Sequence, residues 1–449
     1  MQTAKTLFAS ALLITGLAGM TASAAPAAKA AKTAADYYWY YYNLDTTGAY
    51  NGESRIRFDA KGNVKVGYQG KYVAKYAELI DHTFKIETAD TSFTAGDSKL
   101  DMALDKDGHP HIIYHRWNYT AINYAWHDGK KWNHKDFGPL SLDLLDFYQL
   151  AVEVDSKGSA HMIYPISGKE YYFPSLAYIR VDPDGSSTMP VLLGGSSLQG
   201  KYVSLALDKK EQPVASHYTF DGSNLTVSYL DGAAWKYQVV DSTQFVRAKG
   251  FLNSMAALPN GDFVVATENH TQFKIQVAIG KPGGEWKLQD LDTLIGHTPG
   301  SSKNPVAADP DGLAYVAYPR MVVNKDTVVS SRLMLAVQKD TTWTIGVVDS
   351  SDMVGEYASL AINPVTKLPA IAYYDRKLKR LRVAIARKEA PADANNNGIP
   401  DYQEPVSIRK LLLRKRGALP KRASAIDASG RTQKAAPRIL FQAPRPVAP

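Results

Sequence analysis

The stretch LDKDGHPHIIY, residues 104–114, combines an apolar strand, an acidic turn and a second strand that ends in tyrosine. Similar phrases occur six more times: FDAKGNVKVGY at 58–68, VDSKGSAHMIY at 154–164, LDKKEQPVASHY at 207–218, LPNGDFVVAT at 258–267, ADPDGLAYVAY at 308–318 and INPVTKLPAIAYY at 362–374. The turn positions lie 46 to 54 residues apart, at Asp59, Asp105, Asp155, Asp208, Pro259, Asp309 and Asn363. A period near 50 residues built from short strands is typical of β-propeller blades.

Each repeat contains four strand-like runs, A to D, and strand D usually begins at a tryptophan. The last repeat ends at Arg387 without its own strand D. The stretch WYYYNLDTT at 39–47 resembles WKYQVVDST at 235–243 and WTIGVVDSS at 343–351. An N-terminal strand would complete the last blade and leave no open sheet edge in the ring. The predicted fold is therefore all-β, a seven-bladed β-propeller over residues 37–388 whose N-terminal strand closes the last blade.

The ends of the chain differ in composition from the repeats. Lys5, the apolar stretch 7–20 and Ala22-Ser23-Ala24 predict a signal peptide over 1–24, followed by an Ala-rich linker at 25–36. We therefore expect export to the periplasm, the cell surface or the extracellular space. The absence of cysteine excludes disulfides, thiolate metal sites and cysteine nucleophiles.

The net charge of +8 is concentrated in the C-terminal tail, residues 405–449, which holds eleven basic residues and one acidic residue. The repeats themselves are mildly acidic, so nucleic-acid binding is not expected. The tail is predicted to be largely disordered. Its segment SIRKLLLRKRG, 407–417, could form a basic helix that contacts an anionic envelope surface, or the tail could simply be solvated.

These repeats resemble those of bacterial exported propellers of the form ALDxxGxPHIxYxxxxxxxLxYAxxDGxxW, which are distantly similar to the Asp-box (BNR) repeats of the sialidase superfamily. The resemblance covers nearly all of residues 54–388. The turns HDGKKW at 127–132 and LDGAAW at 230–235 keep the D-G-x-x-W core of an Asp-box. In that superfamily the Asp-box is a structural turn, so the resemblance implies blades. The arginine cluster and nucleophilic tyrosine of sialidases have no counterpart at numbered positions here.

The motif DANNNGIPDYQE, residues 393–404, satisfies the calcium-loop pattern D-x-[DN]-x-[DN]-G-x5-E within the segment 389–404. Oxygen ligands at alternate positions can wrap one Ca²⁺, and the loop is similar to those of thrombospondin type 3-like repeats. The predicted ligands of this structural Ca²⁺ are Asp393, Asn395, Asn397, Ile399 (backbone carbonyl), Asp401 and Glu404. The alternative is an Asn- and Gly-rich linker that binds no metal.

Binding or catalysis is expected where residues depart from the repeat, on the face formed by the B–C and D–A loops. The B–C candidates are His115, Arg116, Trp117, Tyr171, Tyr172, Glu268, His270, Arg320, Asp375 and Arg376. The D–A candidates are Asp143, Asp146, Arg247 and Glu356. Trp117 lies outside the repeat, so it could stack on a sugar ring, anchor a partner or pack over the channel mouth.

These features favour a monomeric module that binds a glycan or an envelope or extracellular protein. One alternative is a carbohydrate-active enzyme, either a glycoside hydrolase or a polysaccharide lyase, that uses the same face. The other is a purely structural interaction protein. An enzyme would require acid and base residues clustered at the channel mouth.

Overall fold

The structure, a computed structural model, describes residues 36–45, 53–70, 73–91, 99–115, 121–137, 149–166, 175–193, 200–219, 221–242, 249–293, 303, 305–324, 327–397 and 399–404. Within these ranges the chain forms 28 β-strands, which assemble into seven four-stranded antiparallel sheets. The described residues contain little helix, such as the 3-10 turn at Asp221–Ser223.

Strand β1 (Tyr38–Asp45) precedes six blades of four consecutive strands each. Blade 1 contains β2 (Ser54–Phe58), β3 (Val64–Gly70), β4 (Val73–Ile80) and β5 (Thr83–Asp90). Blade 2 contains β6 (Leu100–Leu104), β7 (Pro110–His115), β8 (Ile122–His127) and β9 (Trp132–Phe137). Blade 3 contains β10 (Ala151–Val154), β11 (Ala160–Ile166), β12 (Ser175–Val181) and β13 (Val191–Leu192).

The second half of the ring repeats this arrangement. Blade 4 contains β14 (Gly200–Leu207), β15 (Pro213–Thr219), β16 (Asn224–Asp231) and β17 (Ala234–Asp241). Blade 5 contains β18 (Lys249–Ala257), β19 (Phe263–Asn269), β20 (Lys274–Gly280) and β21 (Trp286–Thr293). Blade 6 contains β22 (Val306–Ala308), β23 (Ala314–Asn324), β24 (Thr327–Lys339) and β25 (Thr342–Asp349). Blade 7 contains β26 (Val354–Ile362), β27 (Pro369–Asp375) and β28 (Arg380–Arg387).

The fourth strand of blade 7 is β1, at the other end of the chain. It pairs antiparallel with β28, with Tyr38 opposite Arg387 and Tyr42 opposite Val383. The sheet order is β1-β28-β27-β26, so β1 is the outermost strand of the blade. The predicted seven-bladed propeller closed by its N-terminal strand is confirmed.

The innermost strands of the blades, β2, β6, β10, β14, β18, β22 and β26, follow one another around a central channel, and β26 lies beside β2. Side-chain oxygens on some of these strands accept hydrogen bonds from the backbone of the next blade. Ser359 Oγ accepts from Ile56 N at 3.0 Å, which joins blade 7 to blade 1. Ser204 Oγ accepts in the same way from Met255 N at 3.0 Å. The ring is therefore closed at its centre as well as in blade 7.

The acidic residue of the repeat stabilises the A–B turn. In blade 1, Asp59 Oδ1 accepts hydrogen bonds from the backbone amides of Lys61 and Asn63, both at 2.9 Å. Gly62 adopts a φ of 83°, a conformation that glycine adopts without steric cost. In blade 5 the equivalent turn residue is Leu258, because Leu258 O accepts from Gly261 N at 2.9 Å. The turn position predicted at Pro259 is thus wrong by one residue.

The tyrosine that ends strand B links consecutive blades through an aspartate on the outermost strand of the preceding blade. The four observed pairs are Tyr68 with Asp45 (3.1 Å), Tyr114 with Asp90, Tyr318 with Asp292 (2.7 Å) and Tyr373 with Asp349 (2.5 Å). In three of the pairs the aspartate also binds a lysine or arginine from the tyrosine's own blade: Lys75, Arg320 and Arg382. In the fourth pair, His134 Nδ1 lies 3.6 Å from Asp90 Oδ2. A hydrogen bond to a carboxylate is stronger than one between neutral groups, so the repeated tyrosine is part of the scaffold.

The chain divides into two compact units, with the boundary between Lys388 and Glu389. In the first unit, apolar side chains such as Ile56, Met102 and Val152 are fully buried. Among the described residues, no helix has the length and apolar character needed to cross a membrane.

Candidate functional site

Several of the predicted loop residues lie outside the described residues. These are Arg116, Trp117, Tyr171 and Tyr172 of the B–C set, with Asp143, Asp146 and Arg247 of the D–A set. Of the described candidates, His115 ends strand β7 and is only 1% exposed. Burial, together with the charge of Lys99, lowers the pKa of His115 to about 3, so this imidazole is neutral and internal.

Glu268 and His270 come together at the end of strand β19. Glu268 is fully buried, and its Oε2 lies 2.8 Å from His270 Nε2. The imidazole of His270 stacks on Phe251, with ring centroids 4.6 Å apart and planes inclined by 22°. Tyr202 and Tyr218 pack against the same phenylalanine, which gives an aromatic cluster between blades 4 and 5.

The remaining candidates lie on blades 6 and 7 and are bound by neighbouring side chains. Arg320 binds Asp292 through Nε at 3.0 Å, as part of an inter-blade tyrosine–aspartate pair. Arg376 Nε donates to Glu356 Oε2 at 3.0 Å. Asp375 is 1% exposed, and its carboxylate accepts from Leu378 N at 2.8 Å and lies 3.4 Å from Arg382 Nη1. The structure therefore joins Glu268 with His270 and Glu356 with Arg376, and it distributes the described candidates over four blades.

Three inner strands contain a bulge at the end that faces the B–C and D–A loops. Tyr202, Leu252 and Tyr357 each lie six residues before the turn position of their blade, and their φ angles are 58°, 48° and 52°. The strand pairing shifts register at each of these residues. A positive φ is costly for bulky side chains, so the same local strain occurs in blades 4, 5 and 7.

The central channel contains a cavity of about 490 Å³ that sequence reasoning did not identify as a site. All seven inner strands contribute to its wall. Four alanines form one part of the wall, at the position two residues before the turn: Ala206, Ala256, Ala307 and Ala361. Charged side chains line the part formed by blades 1 to 3, namely Arg55, Arg57, Asp101 and Glu153, and Lys303 of blade 6 also lines the cavity.

These charged residues, with Glu53 and Lys99, form what we term the channel cluster. Arg55 bridges two carboxylates, with Nε 2.7 Å from Asp101 Oδ1 and Nη2 3.1 Å from Glu53 Oε2. Arg57 Nη2 lies 3.5 Å from Glu153 Oε1, a pair that joins blade 1 to blade 3. The Arg55–Asp101 and Arg57–Glu153 contacts link different blades, so the cluster forms only when blades 1 to 3 are packed together.

Lys303 reaches across the channel from blade 6. Its Nζ donates to the backbone carbonyl of Val203 on blade 4 at 3.1 Å. Lys303 is 7% exposed and Lys99 is 5% exposed, and neither forms an ion pair with a described residue. Burial, together with nearby Arg55, lowers the pKa of Lys303 to about 8. The channel cluster therefore contains two buried ammonium groups without a direct counter-ion in the described part of the chain.

The carboxylates of the channel cluster respond differently to burial. Burial raises the pKa of Glu153 to about 7, although Arg57 opposes this effect. For Asp101, burial would also raise the pKa, but the charges of Arg55 and Lys303 hold it below its ordinary value. Glu153 is therefore the carboxylate of the cluster whose pKa is raised, and Asp101 the one whose pKa is lowered.

A second cavity, of about 390 Å³, lies at the A–B turns of blades 4 to 7. It shares four lining residues with the central cavity: Leu207, Ala257, Ala308 and Ile362. The two cavities adjoin, so the central cavity extends toward the turn face, which is opposite to the face on which function was predicted.

A sequence signal for the channel cluster exists in strand A. Blades 4 and 7 read SLALD and SLAIN, with serine and alanine at the inward positions. Blades 1, 2 and 3 read RIRFD, DMALD and VEVD, with charged residues at one or both of these positions. A repeat-by-repeat alignment of these positions would have identified Arg55, Arg57, Asp101 and Glu153.

The predicted calcium loop is described apart from residue 398. Glu404 is 3% exposed, and its Oε1 accepts hydrogen bonds from the side-chain amides of Asn395 at 3.1 Å and Asn397 at 2.7 Å. Asp401 Oδ1 accepts from Ala394 N at 2.8 Å, which closes the loop. Among the described residues, the buried Glu404 carboxylate is therefore hydrogen-bonded only by neutral amides. The donor set is rich in oxygen and fits a hard cation such as Ca²⁺.

No protein-family model matches the chain, and no curated protein matches it. Among solved structures, it is similar to a streptogramin B lyase, at 10% identity over 78% of this chain and 98% of that chain, with a TM-score of 0.50. It is also similar to a fungal alcohol oxidase in complex with copper, at 11% identity over 81% and 79% of the two chains, with a TM-score of 0.51. A leech intramolecular trans-sialidase matches at 12% identity over 78% and 69%, with a TM-score of 0.44. Identities this low support the fold and no particular activity.

Proposed function

We propose that the chain is an exported β-propeller that binds a glycan or a protein through its B–C/D–A loop face, at the cell envelope or outside the cell. The observation that carries the proposal is the strained bulge that recurs at this end of the inner strands, at Tyr202, Leu252 and Tyr357. Bulges occur preferentially beside binding sites, where they reorient side chains, and strained backbone persists where function maintains it.

The contrast between the two faces supports the same conclusion. The A–B turns repeat one hydrogen-bonding pattern, which accounts for Asp59, Asp155 and Asp309 as scaffold. The opposite end carries aromatic and charged groups that differ from blade to blade, such as the His270–Phe251 stack and the Glu356–Arg376 pair. Variable loops on a rigid scaffold are a common location for binding residues.

The test is binding of the mature full chain to an array of immobilised bacterial, plant and animal glycans and to purified envelope proteins. We expect saturable binding that Trp117→Ala weakens at least about tenfold, equivalent to 1.4 kcal/mol. Lys157→Ala, on an exposed A–B turn, is the matched control and should bind as the parent does. Absence of binding to every probe, or equal binding by both variants, would refute the proposal. Release of soluble products from a bound glycan would instead assign the chain to the carbohydrate-active enzymes.

We further propose that residues 393–404 hold one structural Ca²⁺. The ligands would be the side chains of Asp393, Asn395, Asn397, Asp401 and Glu404 with the carbonyl of Ile399. The support is the buried Glu404 carboxylate, since a buried charge is costly unless an opposite charge compensates it. In this proposal the ion organises the loop and takes no part in a reaction.

Export is tested by the N-terminus of the secreted protein. If residues 1–24 form a signal peptide, the chain recovered from a periplasmic or culture fraction should begin at Ala25. Retention in the cytoplasm with an intact N-terminus would contradict this proposal.

A further inference from the structure

The channel cluster contains two buried lysines whose charge no described carboxylate neutralises through an ion pair. It contains four cations, Arg55, Arg57, Lys99 and Lys303, and three carboxylates, Glu53, Asp101 and Glu153. The carboxylates are engaged by the two arginines, and the two lysines form no ion pair with any residue that the structure describes. A buried ammonium group is costly without a close opposite charge, and an anion bound beside Lys303 would reduce this cost.

A second polar group near the cluster also lacks a partner. Gln149 is 1% exposed, and its Nε2 lies 3.5 Å from Glu53 Oε1. Its Oε1 is buried and accepts no hydrogen bond within the described ranges of the chain. Gln149, Glu53, Lys99 and Lys303 all lie six residues before the turn of their blades, so they occupy one level of the ring. This oxygen needs a hydrogen-bond donor, which a carboxylate ligand would not supply, so Gln149 lies beside the cluster and is not counted as part of the anion site.

The shape of the cavity limits the size of the anion. Lys303 crosses from blade 6 to blade 4, and Arg57 pairs across the channel with Glu153, so side chains span the channel at the cluster. On the other side of the cluster lies the cavity of about 490 Å³, which adjoins the second cavity at the A–B turns. Small-molecule sites in proteins have volumes of roughly 300–1,000 Å³. This space suits a small molecule and cannot enclose a polymer.

Part of the cavity wall is apolar and has short side chains. Alanine occupies the inward position of blades 4 to 7, where larger side chains would fill the channel. A ligand with a negative group at one end and a short hydrocarbon body could contact both Lys303 and the alanines. Among the described residues that line the cavity, Lys303 is the one lysine, and Arg55 and Arg57 are paired with carboxylates, which favours a ligand with a single negative charge.

From this geometry we propose that the central cavity binds a small organic monocarboxylate. Its carboxylate would lie beside Lys303 and its apolar body would lie against the alanine wall. The ligand would enter from the A–B turn face. This site is separate from the loop face, so failure of either proposal leaves the other intact.

The probe is butyrate, compared with butyramide and butylamine, which have the same length but no negative charge. Binding is measured on the full chain by isothermal titration calorimetry and by ligand-observed NMR at constant ionic strength. We expect butyrate to bind with saturation, and the two uncharged or cationic analogues to bind at least tenfold more weakly. Equal binding of butyrate and butyramide would overturn the proposal, because the buried lysines would then play no part.

Two variants test the two ends of the site. Lys303→Met keeps the length of the side chain and removes the charge, so it should weaken butyrate binding at least tenfold. Ala256→Leu, in the alanine wall, should block binding by filling the cavity while Lys303 remains. Lys157→Met on an exposed A–B turn is the matched control and should bind butyrate as the parent does.

The stability of Lys303→Met in the absence of ligand provides an independent readout. Because the variant removes a buried cation without a direct counter-ion, its melting temperature should equal or exceed that of the parent. If Lys303→Met lowers the melting temperature strongly and Ala256→Leu still binds butyrate, Lys303 is a structural residue and the proposal is wrong.

Discussion

The inter-blade tyrosine–aspartate pairs predict a specific loss of stability in Tyr373→Phe. The phenol of Tyr373 is fully buried and donates to Asp349 Oδ2 at 2.5 Å, and Asp349 is 4% exposed. Phenylalanine keeps the ring and leaves no cavity, so only the hydrogen bond is lost. A hydrogen bond to a charged group contributes about 1.5–3 kcal/mol. Arg382 Nη1 remains 2.9 Å from the same carboxylate oxygen, so we expect a loss near the lower end of this range.

The assay is equilibrium unfolding in guanidinium chloride, followed by tryptophan fluorescence. Tyr164→Phe is the matched control, because Tyr164 occupies the same repeat position and is 2% exposed. Its ring stacks on Phe137 at 6.2 Å, and its hydroxyl forms no hydrogen bond with a described residue. Tyr164→Phe should therefore change the free energy of unfolding by less than about 0.5 kcal/mol. Equal losses in both variants would refute the role of the carboxylate.

A double-mutant cycle isolates the interaction itself. If Tyr373 acts through Asp349, the variant Tyr373→Phe should cost little in an Asp349→Asn background. The coupling free energy should then exceed about 1 kcal/mol, within the range found for directly interacting residues. Additive effects of the two substitutions would show that the tyrosine stabilises the blade by packing alone.

Three further outcomes follow from the structure. Burial lowers the pKa of His217 to about 4, so between about pH 4 and 6.5 the unfolded chain binds a proton that the folded chain does not. The free energy of unfolding should therefore fall as pH decreases through this window. In urea unfolding, His217→Gln should reduce the slope of the free energy of unfolding against pH by up to about 1.4 kcal/mol per pH unit. Glu404→Gln should abolish Ca²⁺ binding measured by equilibrium dialysis while Gln403→Ala retains it, and absence of binding by the parent would remove the calcium proposal. Asp155→Ala should lower the free energy of unfolding by about 1–3 kcal/mol, because Asp155 Oδ1 accepts hydrogen bonds from two backbone amides of its turn. An unchanged midpoint of urea unfolding would show that water replaces these hydrogen bonds.

The fold could be predicted from the sequence because its information is local and repeated. The phrase that ends at Tyr68, Tyr114 and Tyr318 recurs because each copy makes the same contact with the preceding blade. The closing strand was predictable for the same reason, since residues 39–45 repeat the pattern of the other outermost strands. The error at Pro259 arose because backbone hydrogen bonds define a turn, and Leu258 occupies that position without the aspartate that marks it elsewhere.

The channel cluster could not be predicted in the same way, because its contacts cross the ring. Lys303 meets the carbonyl of Val203, 100 residues earlier in the chain, and Arg57 meets Glu153 on a blade two positions away. The burial of His115 also depends on packing that strand periodicity does not reveal. The strand pattern indicates which residues are inward, and the closed ring determines which of them meet.

The proposed loop-face site and the proposed cavity site depend on closure of seven blades by the N-terminal strand. A disulfide cross-link tests this closure directly because the chain contains no cysteine. Tyr38 and Arg387 are exposed and lie opposite one another in the β1–β28 pairing. The double variant Tyr38→Cys/Arg387→Cys should form an intramolecular disulfide on mild oxidation, detected by mass spectrometry of peptides. Tyr38→Cys/Val347→Cys, with the second cysteine on the exposed outermost strand of blade 6, should not. A cross-link in the second variant and none in the first would contradict the closed ring.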